Sequence, residues 1–244
     1  MIKIILLLWS FVLVLLRCNT DPDSQPNVQS NGKLVLVDSS GVKAKLHLYQ
    51  TNFRMGYYPI YYLGEIDDTI RLGKHLIPRH EVGAKNYNRS QDYVIPGPNH
   101  MRIFVDTAFS LSHTVNYEHF DQKQEKTVLD SIISYQAIPI FVYNRSKQNI
   151  AVGWSNSLGY VVMQAKNKKG QWSDIEQPMD YYCVTGARLL IIEPNQMIVA
   201  KLIKHEGSIR AICRLKFANF NGVVYSNTFT DNIDEQQLTE KRNP

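Results

Sequence analysis

The sequence predicts an all-β protein built as an antiparallel sandwich, and three observations carry that prediction. Short segments alternate apolar and polar residues with a period of two. Turns bearing glycine, proline and asparagine separate them at close intervals. Beyond the N-terminal leader no stretch has long, strong helical periodicity.

The chain opens with Lys3 and an apolar run over residues 4–16 that only Ser10 interrupts. At helical rise such a run reaches about 20 Å, well short of the ~30 Å hydrocarbon core. Residues 1–17 are therefore expected to be a secretory signal peptide and not a spanning anchor. Leu15-Leu16-Arg17-Cys18 resembles the lipobox of bacterial lipoproteins, with Arg17 departing from the small residue usual before the cysteine. Lipidation of Cys18 would tether the protein to an outer membrane or cell surface; the alternative is a secreted or periplasmic protein. Residues 18–32 are polar and proline-bearing, as a tether would be.

The first β domain is expected over 33–120. Residues 34–37 form an apolar run, Asp38-Ser39-Ser40-Gly41 is turn chemistry, and 42–48 alternate, so the two segments read as a hairpin. A second pair, 57–63 and 69–72, flanks residues 64–68. Segments 101–105 and 109–115 follow. Between them lies an irregular excursion over 73–99, rich in His, Pro, Asn, Arg and Gly; its length makes it the first place to look for a binding surface.

Residues 121–134 read as a linker, although Val128, Leu129, Ile132 and Ile133 have spacing compatible with one or two helical turns. From 135 to 233 seven strands are expected: 139–143, 149–153, 160–165, 188–192, 197–203, 209–217 and 223–229. That density matches an immunoglobulin-like sandwich. Residues 234–244 form a polar tail. Two sandwich domains or two related halves are both open. An internal echo bears on this: Pro59-Ile60-Tyr61 through Gly73 aligns without gaps with Pro139-Ile140-Phe141 through Gly153.

With Cys18 lipidated or removed, Cys183 and Cys213 remain as an even pair in an oxidising compartment, so a disulfide and two buried free thiols are both open. Alternation over 209–217 puts Cys213 on an apolar face with Ile209, Ala211, Leu215 and Phe217.

Tyr62-Leu63-Gly64 with Asp68-Thr69-Ile70, the run Met101-Arg102-Ile103-Phe104-Val105-Asp106-Thr107, Pro139-Ile140 with Asn144, Gly170-Gln171-Trp172 and Tyr225-Ser226-Asn227 together resemble uncharacterised bacterial envelope proteins and lipoproteins with immunoglobulin-like domains. The resemblance implies fold and location and transfers no catalytic residue.

The chemistry sought in the sequence is mostly missing. There is no phosphate-binding glycine loop and no dinucleotide fingerprint. Gly153-Trp154-Ser155-Asn156-Ser157 ends in serine where a nucleophile elbow needs its second glycine. The histidine pairs His75/His80 and His113/His119 lack zinc-ligand spacing, and no cofactor or metal is expected. A net charge of +5, lower still without Lys3 and Arg17, does not argue for nucleic acid. Alternation would place Tyr58 and Tyr62 on one sheet face, where an aromatic pair can stack on a sugar or anchor a protein.

The expected function is a non-catalytic envelope module that binds a protein or glycan partner through loops or an exposed sheet edge. Its candidate contact residues are Tyr58, Tyr62, His75, Arg79 and His80. An envelope hydrolase acting on carbohydrate, with carboxylates in 73–99, is the alternative.

Overall fold

The structure is a computed structural model and describes residues 34–38, 56–72, 93–154, 156–178 and 189–239. The leader, Cys18 and its tether, the strand expected at 42–48, residues 73–92 with His75, Arg79 and His80, Cys183, and residues 240–244 lie outside the described residues.

The chain is all-β, and its sheets are arranged as in a β-sandwich. A central antiparallel sheet has the order β2 (Ile60–Glu65), β12 (Gln196–Ile203), β6 (Lys126–Asn144) and β4 (Met101–Val105), and β5 (Leu111–Asp121) also pairs with β6. An outer antiparallel sheet has the order β10 (Trp172–Asp174), β9 (Val161–Lys166), β13 (Ile209–Asn219) and β14 (Gly222–Tyr225), with β15 (Phe229–Ile233) continuing along β13. A small side sheet joins β11 (Leu189–Ile192), β7 (Ile150–Trp154) and β8 (Ser157–Leu158). A flap pairs β1 (Val35–Asp38) in parallel with β3 (Thr69–Leu72). One short helix, α1 (Glu235–Thr239), follows β15.

Two cores explain the burial. In the first, Ile138, Ile140 and Val142 of β6 and Ile198, Ala200 and Leu202 of β12 pack with Met163 and Ala165 of β9 and Cys213, Leu215 and Phe217 of β13. The second lies on the opposite face of the central sheet, where Leu111, Ala137, Phe141, Met197 and Val199 meet Ile70 and Leu72 of the flap. The central sheet is thus covered on both sides. That is why β12 and the second half of β6 read as nearly continuous apolar runs while β13 alternates.

Several expectations are corrected. The boundary drawn between 120 and 135 cuts through a single sheet, and the described residues from Leu34 onward fall in one compact unit. Segments 57–63 and 69–72 do not pair with each other; β2 joins β12 and β3 joins β1. The stretch expected as a linker or short helix is the tip and first half of a long ribbon, with β5 pairing β6 from Leu111↔Ala137 to Asp121↔Lys126. Since β12 stops at Ile203, opposite Ala137, the first half of β6 has only β5 as a partner among the described residues, and the ribbon extends about 30 Å beyond it.

The segment 223–229 is two strands, because side chains take over part of the backbone ladder between them, although Ser226 N still donates to Leu215 O at 3.0 Å. Leu215 N donates to Ser226 Oγ at 2.8 Å, while Asn227 accepts from Val105 N at 2.8 Å and donates to Val105 O at 2.9 Å. Among the described residues turns bearing glycine and asparagine separate strands, with Gly170, Asn195 and Gly222 in the left-handed region, while the turn expected at 38–41 lies mostly outside them.

The internal echo has a structural counterpart. Ala200 of β12 lies opposite Ile60 on one side and Ile140 on the other, and Lys201 meets Pro59 and Pro139 in the same way. The two echoing segments flank one strand, then diverge into the flap and the side sheet.

Candidate functional site

The outer face of the outer sheet carries the most developed surface chemistry. Alternation turns Ala165, Cys213, Leu215 and Val224 into the core, so their neighbours Gln164, Lys166, Arg214, Lys216 and Tyr225 point the other way. Register brings them together from four strands: Trp172 lies opposite Lys166, Asp174 and Arg214 are each opposite Gln164, and Lys216 is opposite Tyr225.

The contacts form a ladder. The Arg214 guanidinium sits 4.1 Å from the Trp172 ring centroid and 3.7 Å from that of Tyr225, and Lys166 Nζ lies 5.2 Å from Trp172. Each such cation–ring contact contributes about 0.5–1 kcal/mol where water still reaches it. A hydrogen-bonded chain runs alongside. Arg214 Nε donates to Gln164 Oε1 at 2.8 Å, and Gln164 Nε2 donates to Asp174 Oδ1 at 2.6 Å. Lys216 Nζ donates to Asp174 Oδ2 at 2.5 Å. Part of the ladder lines an open groove of about 430 Å³, walled by Gln164, Trp172, Asp174, Lys216, Gln237 and Leu238, a size within the range of small-molecule sites. Trp172 stood in the sequence within the resemblance motif; Arg214, which stacks on it, and Lys216, 42 residues from its partner Asp174, lie beyond any local pattern.

Three buried polar clusters are structural. In the first, Lys201 Nζ lies 2.9 Å from Asp38 Oδ2, donates to Ser112 O and sits 3.9 Å from the Tyr61 ring centroid. Tyr61 Oη and His113 Nδ1 are 2.6 Å apart. Burial, aided by the Lys201 charge, pulls the His113 pKa down to about 4, so the ring is neutral near pH 7. The Lys201 pKa is lowered by burial, against the opposing pull of Asp38.

The second cluster corrects one expected contact residue. Tyr58 is 2% exposed and its hydroxyl donates to Glu176 Oε2, which also accepts from Met163 N at 2.8 Å. Burial, with the Glu176 charge next, raises the Tyr58 pKa well above its ordinary value. It offers no surface to a partner. Tyr62, expected on the same face, is turned away by a β-bulge: register slips between Val199 and Ala200, leaving Tyr61 as the extra residue, so Tyr61 and Tyr62 both join the second core. Tyr62 remains half-buried, with its hydroxyl donating to Glu65 O at 2.6 Å.

The third cluster brings Lys204 Nζ to 2.5 Å and His205 Nδ1 to 3.8 Å from the carboxylate of Asp231, near Cys213. A cysteine, a histidine and an aspartate in one place invite a nucleophilic reading, and the thiol argues against it. Cys213 is fully buried, and burial, with the Asp231 charge, pushes its pKa up to about 12. Among the described residues it is a free thiol, and Cys183 lies outside them.

The Gly153–Ser157 stretch forms the β7–β8 hairpin, with Gly153 opposite Leu158 and Trp154 opposite Ser157, and not a strand–turn–helix elbow. The end of the 73–99 excursion is pinned to the body: Asn219 Nδ2 donates to Pro96 O and Asn221 Nδ2 to Ile95 O. Among the described residues no helix is long and apolar enough to cross a membrane, and no group of three or more His, Cys, Asp or Glu is placed to hold a metal.

No protein-family model, curated protein or solved structure matches this chain.

Proposed function

We propose that this chain is a non-catalytic, envelope-exposed binding protein, tethered through a lipid on Cys18, that holds a protein or glycan partner on the outer face of the β10–β9–β13–β14 sheet. The sandwich is read as an immunoglobulin-like elaboration, a reading supported by its short consecutive strands and facing antiparallel sheets.

One observation carries the choice of face: the Arg214 guanidinium held between Trp172 and Tyr225 on a water-facing sheet. A fold gains little stability from ordering long cationic side chains at its surface. A contact surface gains more, because side chains already held in place lose less entropy when a partner arrives. Tryptophan, tyrosine and arginine are also the residues in which interface energy concentrates. The groove's lining carboxylate, Asp174, is held by Gln164 and Lys216, an arrangement suited to orienting a ligand and unlike the paired acid and base of a glycoside hydrolase.

The test is sedimentation of the purified protein with isolated cell envelopes. Trp172→Ala and Arg214→Ala should each weaken retention about tenfold or more while the melting temperature holds within a few degrees. Variants that stay folded and are retained as tightly as the wild type would refute the choice of face. For the tether, Cys18→Ser should release the protein from membranes; a soluble wild-type protein would refute it.

A further inference from the structure

The walls of the groove narrow its ligand. Trp172 and Leu238 supply apolar surface, while Gln164, Asp174 and Lys216 supply hydrogen-bonding groups already oriented by one another. An entirely apolar ligand would strip water from Asp174 and Lys216 and give nothing back. A ring with one carbon-rich face and hydroxyls on its edge matches both kinds of wall. Asp174 keeps lone pairs and Lys216 keeps N–H donors for those hydroxyls. Gln237 adds a further donor: it lines the groove and is 4% exposed, its Oε1 accepts from Asp234 N, and its Nε2 has no hydrogen-bond partner among the described residues.

Charge narrows the ligand further. On this patch Lys216 is paired with Asp174, and Lys166, over the Trp172 ring, has no ion-pair partner among the described residues. The excess is positive, at the side of the groove where Trp172 stands.

We propose that the groove takes an anionic sugar unit, a polyol ring bearing a carboxylate, phosphate or sulfate. The ring lies along Trp172, its hydroxyls bond to Asp174, Lys216 and Gln237, and its anion faces Lys166. This rests on the reading of the outer face as the contact surface and names the ligand class of that surface.

The test is calorimetric titration of the purified protein with oligogalacturonate, its methyl ester, a sulfated oligosaccharide, a phosphorylated oligosaccharide and a neutral maltooligosaccharide. Each ligand is also used to compete against envelope retention. Binding of at least one anionic oligosaccharide about tenfold tighter than the methyl ester and the neutral sugar, weakening with added salt, supports the proposal. The three anions differ in group, so their order tells carboxylate, phosphate and sulfate sources apart. Lys166→Glu, an exposed change that spares the core, should weaken that binding about tenfold. Equal binding of charged and neutral sugars, or no sugar binding at all, overturns it. If no sugar binds or competes while Trp172→Ala still abolishes envelope retention, the ligand class falls and the contact face stands. If Trp172→Ala is retained normally, both fall.

Discussion

Lys201 and Asp38 meet beneath the flap, with Nζ 2.9 Å from Oδ2 and side chains 1% and 9% exposed. The lysine occupies a core position of β12, on the face it shares with Met197 and Val199, and Asp38 ends the strand that covers it. Asp38 Oδ2 also accepts from Ser112 N at 2.9 Å, so one carboxylate joins the flap to β12 and β5. Removing Asp38 strands the Lys201 charge in the interior, which typically costs about 3–5 kcal/mol, whereas replacing both costs far less. Asp38→Asn alone, which keeps an acceptor for Ser112 N, should therefore lower the urea midpoint sharply. Adding Lys201→Met should restore more than half of the loss. Additive losses in the double variant would show that the two residues do not act as a pair.

His113 gives stability a pH dependence with a definite sign. Its folded pKa of about 4 lies below the ordinary 6.5, so between those values the unfolded chain binds the proton that the folded chain refuses. Stability from this group is complete above about pH 6.5 and drains away as pH falls toward 4, by roughly 3 kcal/mol over the whole window. Urea unfolding at about pH 7 and about pH 4.5 should show the loss in the wild type and a much flatter dependence in His113→Gln. Parallel curves would place the titration elsewhere.

What the sequence made legible was whatever one buried face dictates locally. Residues 209–217 alternate against a single core, and 101–105 alternate between a fully buried and a half-buried face; both are strands at the expected places. The ribbon was illegible for the opposite reason. Over 126–133 neither face is buried, and the bulge between Tyr117 and Glu118 leaves Asp130 unmatched, so apolar residues fall at 128, 129, 132 and 133 and mimic a helical turn. The bulge at Tyr61 likewise broke the alternation used to group Tyr58 with Tyr62. The groove depends on register between distant strands, Gln164 with Arg214 and Asp174 with Lys216, and composition alone does not set which strands become neighbours.

Cys213 should be chemically silent while the protein is folded. With a pKa near 12, about one thiol in ten thousand is ionised at about pH 8, and the sulfur is out of contact with solvent. After an hour with iodoacetamide, peptide mass analysis should find Cys213 unmodified in native protein and fully alkylated in denaturant. Rapid labelling of the folded protein would contradict the burial, and a Cys183–Cys213 linked peptide would contradict the free thiol.

The ribbon formed by β5 and the first half of β6 should be dispensable for folding. Thr114, Asn116, Tyr117, Phe120, Leu129 and Ile132 are exposed, and the pairs Thr114–Ser134 and His119–Asp130 join ribbon residues only to each other. An isolated two-stranded ribbon is marginal in water, so it draws its order from the sheet and returns little. The sheet proper begins where Leu111 meets Ala137 and β12 joins at Ile203. Replacing residues 117–131 with a two-residue Asn-Gly turn keeps Val115 opposite Ile133 and both strands in phase. The shortened protein should melt within about 3 °C of the wild type, since it loses under about 1 kcal/mol of packing. Its Tyr135 hydroxyl loses the Tyr117 partner but gains water. A fall of more than about 10 °C would mean that the ribbon supports the second core, and the central sheet would then have to be redrawn to include it.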